Sequence, residues 1–185
     1  DPPPPDDPAS RGPAVVELTV TTPGDASAPT PRVRAAVVDD LDELVRLDRL
    51  ARDHLRPLRG GEMYLLHTAR PEPASTSLQA DLADVDRVVL LGCLGDVPVG
   101  YAIASIHPLA DGTCAADVSE VFVEPDARGV GIGNLLMHQL VHWATDRGCI
   151  GIDARALPGD RNTKNFFESF GLVARAITVH RDLRS

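Results

Sequence analysis

Residues 124–134, "EPDARGVGIGN", place three glycines on alternate positions directly after an arginine. They follow the apolar run "VSEVFV" (118–123) and lead into "LLMHQLVHWA" (135–144), whose apolar residues recur at helical spacing. A strand therefore hands over to a helix through a turn in which glycine lets the backbone approach a ligand closely. No lysine follows, which excludes a Walker loop, and the two-by-two spacing of Gly129, Gly131 and Gly133 is not that of a dinucleotide turn. What the stretch offers is a row of N–H groups at the start of a helix, a natural seat for an anion. Each dipole–charge contact is worth about 0.3–1 kcal/mol, so a diphosphate touching several gains a few. The bland alternative is a glycine-rich turn beside a surface arginine.

Outward from this junction, the chain reads as alternating strands and helices. Arg32–Val38 has strand character, and Asp39 or Asp40 can cap a helix to about Leu55. Residues 56–86 are ambiguous, with helices expected at Gly61–Thr68 and Ser75–Ala83. "RVVLLGCLGDVPVGYAIASI" (87–106) reads as a hairpin around Gly95 and Asp96, and a third strand is expected over Thr113–Val123. After the junction come a helix to about Arg147, a strand in "CIGIDARAL" (149–157), a helix over Asp160–Phe170 and a strand in "ARAITVH" (174–180). The pattern is an α/β fold with a mixed sheet.

At 185 residues a single domain is expected, and 43% hydrophobic with 24% charged residues is a globular composition. Nine of the 16 prolines fall in residues 1–31, which read as a flexible Pro-rich tail before a folded body at 32–185. Within the tail, "VVELTV" (15–20) alternates like a strand suited to a sheet edge, where it could also pair two copies as a homodimer. The formal net charge of −9 disfavours nucleic acid, and no apolar run spans a membrane. Cys93, Cys114 and Cys149 are odd in number and lie in or beside apolar runs. Buried thiols in a reducing, cytoplasmic compartment are expected.

"RGVGIG" resembles the Arg/Gln-x-x-Gly-x-Gly/Ala motif of the GNAT superfamily of N-acyltransferases. "LPGDRNTKNFFESFGL" (157–172) is similar to that family's later strand–helix region. The resemblance follows element order over residues 32–180 and is strongest over 118–171. It implies a GNAT-like splayed sheet with helices on both faces, and acetyl-CoA as co-substrate with an amine acceptor. By it, the backbone of Val121, Phe122 and Val123 pairs with the pantetheine arm, and an amide in that stretch meets the oxyanion. The amides of Arg128, Gly129, Val130, Gly131, Ile132, Gly133 and Asn134 hold the diphosphate. Asn162 and Asn165 stand near the family's helix-opening Asn, whose own position holds Asp160, and Lys164 is a candidate phosphate contact or a solvated lysine. Phe167 occupies the position where the family commonly carries a Tyr that protonates the departing thiolate.

Transfer to an amine needs a base, since an ammonium of pKa near 10.4 is neutral about once in 2,500 molecules at pH 7, a cost of roughly 4.6 kcal/mol. Asp117 and Glu120 sit in an interior strand, where an unpaired carboxylate is expensive. Strict alternation puts them on opposite faces, so one of them acts unless a bulge realigns them. Glu120, nearer the cofactor stretch, is favoured over Asp117; a structural acid held by backbone or arginine is the alternative for each. His138 and His142 have zinc-like spacing, but Gln139 stands where a metalloprotease carries Glu, and no metal is expected. An acetyltransferase is the leading reading, and a non-catalytic acyl-CoA-binding sensor is its rival.

Overall fold

The computed structural model describes residues 18–19 and 29–183. Six strands form one sheet in the order β1 to β6, antiparallel up to β5 and parallel between β5 and β6. They are β1 (Leu18–Thr19), β2 (Pro31–Ala35), β3 (Arg87–Leu94), β4 (Val97–Pro108), β5 (Cys114–Val123) and β6 (Ile152–Ala154). The helices are α1 (Leu41–Leu55), α2 (Gly61–Thr68), α3 (Ala74–Ala83), α4 (Ile132–Asp146) and α5 (Arg161–Ser169). No described helix is long and apolar enough to cross a membrane.

The central strands are apolar along their length because both faces are covered. Val88 and Leu90 face α4, packing with Ile132, Leu136, Leu140 and Trp143. Val89 and Leu91 face the other way, against Leu44, Leu47 and Ala51 of α1 and Leu78 of α3. These helix positions recur every three or four residues, the stripe that commits one face of a helix to the core. Asp40 occupies the N-cap of α1, as expected, but its side chain does not bond the first amides of the helix. Its carboxylate takes the Arg34 fork at 2.6 and 2.7 Å and accepts from Val37 N at 2.8 Å.

The tail segment "VVELTV" contributes Leu18 and Thr19, which pair with Val33 and Arg32 at the sheet edge. The rest of the expected tail, up to residue 28, lies outside the described residues. Two expectations at the other edge need correction. The strand expected in 149–157 is confined to Ile152–Ala154, and 172–183 carry no strand. Alternation marks a segment fit for a half-buried strand, but a strand forms only where another backbone meets it. Val173, Ile177 and Val179 remain 81, 85 and 88% exposed. Arg175 reaches Asp153 of β6 through its side chain alone.

The α1–α2 corner is tightly determined. A Cβ on Gly61 would stand 1.9 Å from the Leu55 carbonyl oxygen, a backbone atom that cannot yield without moving the end of α1. Gly61→Ala is expected to cost about 1–3 kcal/mol or more, as overpacking does, read as a lowered urea midpoint at unchanged m.

Candidate active site

β5 carries both candidate acids, and one irregularity in it decides where they point. In its pairing with β4, Glu120 faces Ile103 and Val118 faces Ala104, so Ser119 is an extra residue in the ladder. Across this bulge the alternation slips by one. Ala116, Val118 and Val121 all pack on the α4 side, whereas Phe122 packs on the α1 side. Asp117 and Glu120 therefore share the α1 face, and the expectation of opposite faces is overturned.

The two acids nonetheless have different partners. Asp117 accepts from Arg155 at 2.9 Å, just beyond β6. Glu120 accepts from Arg70 through one oxygen and from the Tyr101 hydroxyl, at 2.6 Å, through the other. Arg70 comes from the loop between α2 and α3, with its side chain only 7% exposed. It also meets Asp81 at 2.8 Å, Ser77 at 3.1 Å and Asp48 at 3.3 Å. Arg52 joins the network, reaching Asp48 and Glu72 at 2.8 Å each.

Burial pushes the Glu120 and Asp48 carboxyls above the usual carboxylate range, although the arginines pull the other way. Burial also works against charge on Arg70, but Glu120, Asp81 and Asp48 together hold its guanidinium above the ordinary value. The Tyr101 phenol is raised well above its usual value by burial and by the Glu120 charge beside it.

Beside these acids the sheet opens. Pairing of β5 with β6 ends at Val118 with Ala154, so residues 119–123 have no strand partner on that edge. The opening continues to the glycine junction. Gly129 and Gly131 adopt φ of 86° and 96°, in the left-handed region, and a Cβ there would meet nothing. Gly131 is the N-cap of α4, with no side chain capping it and no acid in the first turn. The first amides of α4 are therefore bare, and the first intrahelical bond is Leu135 N to Gly131 O at 3.0 Å.

One cavity of about 610 Å³ joins the two ends, with Glu120 and Arg70 at one and Arg128, Gly129, Gly131, Gly133 and Asn134 at the other. Val121, Phe122 and Val123 line its floor, the Phe122 side chain being turned into the α1-side core. Ile132 is buried, so only its backbone is on offer, and Val130 is exposed away from the cavity lining. Asn162 lines the cavity with Thr163 and Asp160, whose carboxylate caps α5 by accepting from Thr163 N at 3.1 Å. Lys164 and Asn165 are not brought to it, and Lys164 pairs with Glu168 at 2.5 Å. Both are exposed on α5, and Lys164, two residues after Asn162, is turned to the opposite face.

Phe167 is buried at 6% exposure and Phe166 packs beside it. His142 bonds Asp146 at 2.9 Å and His138 packs on Phe170; among the described residues no group of three metal-binding side chains is found. Sequence reading missed Arg70, Tyr101, Tyr64 and His54 as lining residues. Arg70 lies in the stretch with no clear pattern, and Tyr101 looks like an ordinary apolar strand residue until its partner is seen.

Residues 49–172, more than half of the chain, match the family model described as "Acetyltransferase (GNAT) family". The chain belongs to the GNAT acetyltransferase family. It shares the fold of a transcriptional regulator from Bacillus halodurans C-125, at 21% identity and TM-score 0.64, covering 82% of this chain and 98% of the other. An aminoglycoside acetyltransferase, meta-AAC0020 from an uncultured soil metagenomic sample, solved with trehalose, aligns at 18% identity and TM-score 0.65, covering 84% and 96%. AAC(6')-Iy, solved with the bisubstrate analog CoA-S-monomethyl-acetylneamine, aligns at 19% and TM-score 0.64, covering 84% and 99%. No curated protein matches the chain.

Removing Arg70 would take the cation from Glu120 and leave Asp48 and Asp81 to Arg52 and Arg87 alone. Arg70→Ala is expected to destabilise by about 3–5 kcal/mol at pH 7, the usual cost of breaking a buried pair. Arg70 pulls the Glu120 and Asp48 carboxyls down against burial, so its removal raises both further and penalises their charged forms. The deficit of the variant, followed by urea unfolding, should therefore shrink as pH falls through the carboxylate range and grow as it rises.

Proposed function

We propose that this acetyltransferase moves an acetyl group from acetyl-CoA directly to a primary amine, on a small molecule or on a protein lysine or N-terminus. The observation that carries the reading is a juxtaposition: the bare amides of α4 and the Glu120 carboxylate open on the same cavity. The donor fits these residues on two counts. The junction has open space at Gly129 and Gly131, and the unpaired edge of β5 leads from it to Glu120. Backbone N–H groups from Arg128 to Asn134 would hold the diphosphate, and Val121–Val123 the pantetheine arm, with Asn162 beside them. Bound there, acetyl-CoA supplies the activated acetyl group.

The chain's own work is to orient the amine and take its proton. Each Glu120 oxygen accepts one bond in the free protein, and a carboxylate has about four lone-pair sites, so capacity remains for an amine proton or a bridging water. Raising the carboxyl by burial makes it a better base near neutral pH. Magnitudes explain why a base is kept and the Tyr is not. Deprotonating the amine costs about 4.6 kcal/mol at pH 7, whereas a thiol of pKa about 8.5 leaves as thiolate for about 2 kcal/mol. Tyr101 is committed to Glu120 and buried, and is no substitute acid. The aminoglycoside acetyltransferases among the structural neighbours are consistent with an amine acceptor and do not choose one.

The rival reading, an acyl-CoA-binding sensor without turnover, is favoured by Phe167 and by the engagement of both Glu120 oxygens. Mixing acetyl-CoA with a panel of amines separates the two. Free thiol released with any amine supports transfer, and cofactor binding with no thiol for every amine supports the sensor. In the active system Glu120→Gln is expected to lower kcat about 10²–10⁴-fold with little change in KM for acetyl-CoA. The wild-type acid limb of kcat/KM should lie above the ordinary glutamate value, since the base must shed its proton, and the variant should lose it. Full activity in Glu120→Gln with an inactive Asp117→Asn would transfer the role to Asp117.

A further inference from the structure

His54 stands in the last turn of α1 and lines the cavity across from the glycine junction. Its Nε2 lies 3.4 Å from Arg128 Nη2, and its ring centroid is 6.1 Å from that of Phe122. Arg128 is steadied in this pose by its Nε, which donates to the Val123 carbonyl at 3.0 Å. The groups that face the imidazole are therefore Arg128 from the junction, Asp160 from the head of α5 and the uncharged Phe122 from β5. On its own helix, Asp53 and Arg52 are the charged residues just before it.

An arginine has only donors, so a hydrogen bond across this contact requires His54 Nε2 to accept. The imidazole is then neutral, with its proton on Nδ1. Burial and the Arg128 charge both hold its pKa below the ordinary histidine value. An anion at the junction changes that balance. It offsets Arg128, offers an acceptor to an Nε2 proton, and acts together with the negative end of α1, which favours a cation in the last turn.

We propose that His54 is a diphosphate ligand supplied by α1, and that it takes up a proton when coenzyme A enters the junction. The inference rests on the donor reading above and adds to it a coupling between affinity and pH. Because the bound protein holds the extra proton, affinity is greatest at low pH. It weakens as pH rises through the window between the free and bound pKa values, then levels off.

Dephospho-CoA is the suitable probe. Its diphosphate carries no monoester, whereas the 3′-phosphate of coenzyme A titrates with a pKa of about 6, as phosphate monoesters do, and would add its own pH dependence. Titration calorimetry at pH 7 in two buffers of different ionisation enthalpy counts the protons exchanged. Wild type is expected to take up a fraction of one proton, and its Kd to weaken about three- to tenfold from pH 6 to pH 8, within the limit of tenfold per unit for one proton. His54→Gln should still bind, with uptake near zero and a flat profile. Binding to wild type without proton uptake, or the same uptake in His54→Gln, would overturn the proposal while leaving the donor assignment standing. Absence of heat with both proteins would remove the donor assignment and this inference together.

Discussion

Where β5 parts from β6, a stretch of interior backbone loses its partner, and the site is built on that loss. Buried N–H and C=O groups are almost always satisfied within a fold. Here the parallel pairing ends at Val118, the strand continues to Val123, and the next turn bares the first amides of α4. Glycines with positive φ keep side chains out of that turn, so nothing of the protein's own fills it. A ligand with an extended polar arm and a charged head is the shape proposed for this edge and turn.

A second constraint is electrostatic. Asp48, Asp81 and Glu120 sit among apolar residues of α1, α3 and the sheet, and one arginine holds them together. A buried ionic network of this kind is weak evidence for stability. It fixes the Glu120 carboxylate beside the sheet opening, with Tyr101 locking the other oxygen. The bulge at Ser119 completes the arrangement by turning Glu120 to the same face as Asp117 and Arg155. The splay and the network together set the Glu120 carboxylate beside the unpartnered end of β5, the placement on which its proposed role as base rests.

Much of this was legible in the sequence where the signal is local. The alternation of 87–106, the helical stripe of α4 and the RGVGIG junction each carry their meaning within about a dozen residues. The structure has the hairpin, turn and helix expected there. What escaped was set by distant partners. Arg70 belongs to a segment without periodicity, and its role exists only because three acids from separate elements converge on it. The alternation of "ARAITVH" is a correct statement about side chains, but pairing depends on whether another backbone lies alongside, which no local pattern records. The bulge is a matter of register between β4 and β5, visible only once both strands are in place.

The central claim, that bare amides at the head of α4 seat the twin phosphates of coenzyme A, is tested most directly by backbone NMR. On titration with coenzyme A, the largest amide shifts should fall on residues 128–134 and continue through Val121–Val123. Saturable shifts confined to other surfaces, or none at millimolar ligand, would contradict it.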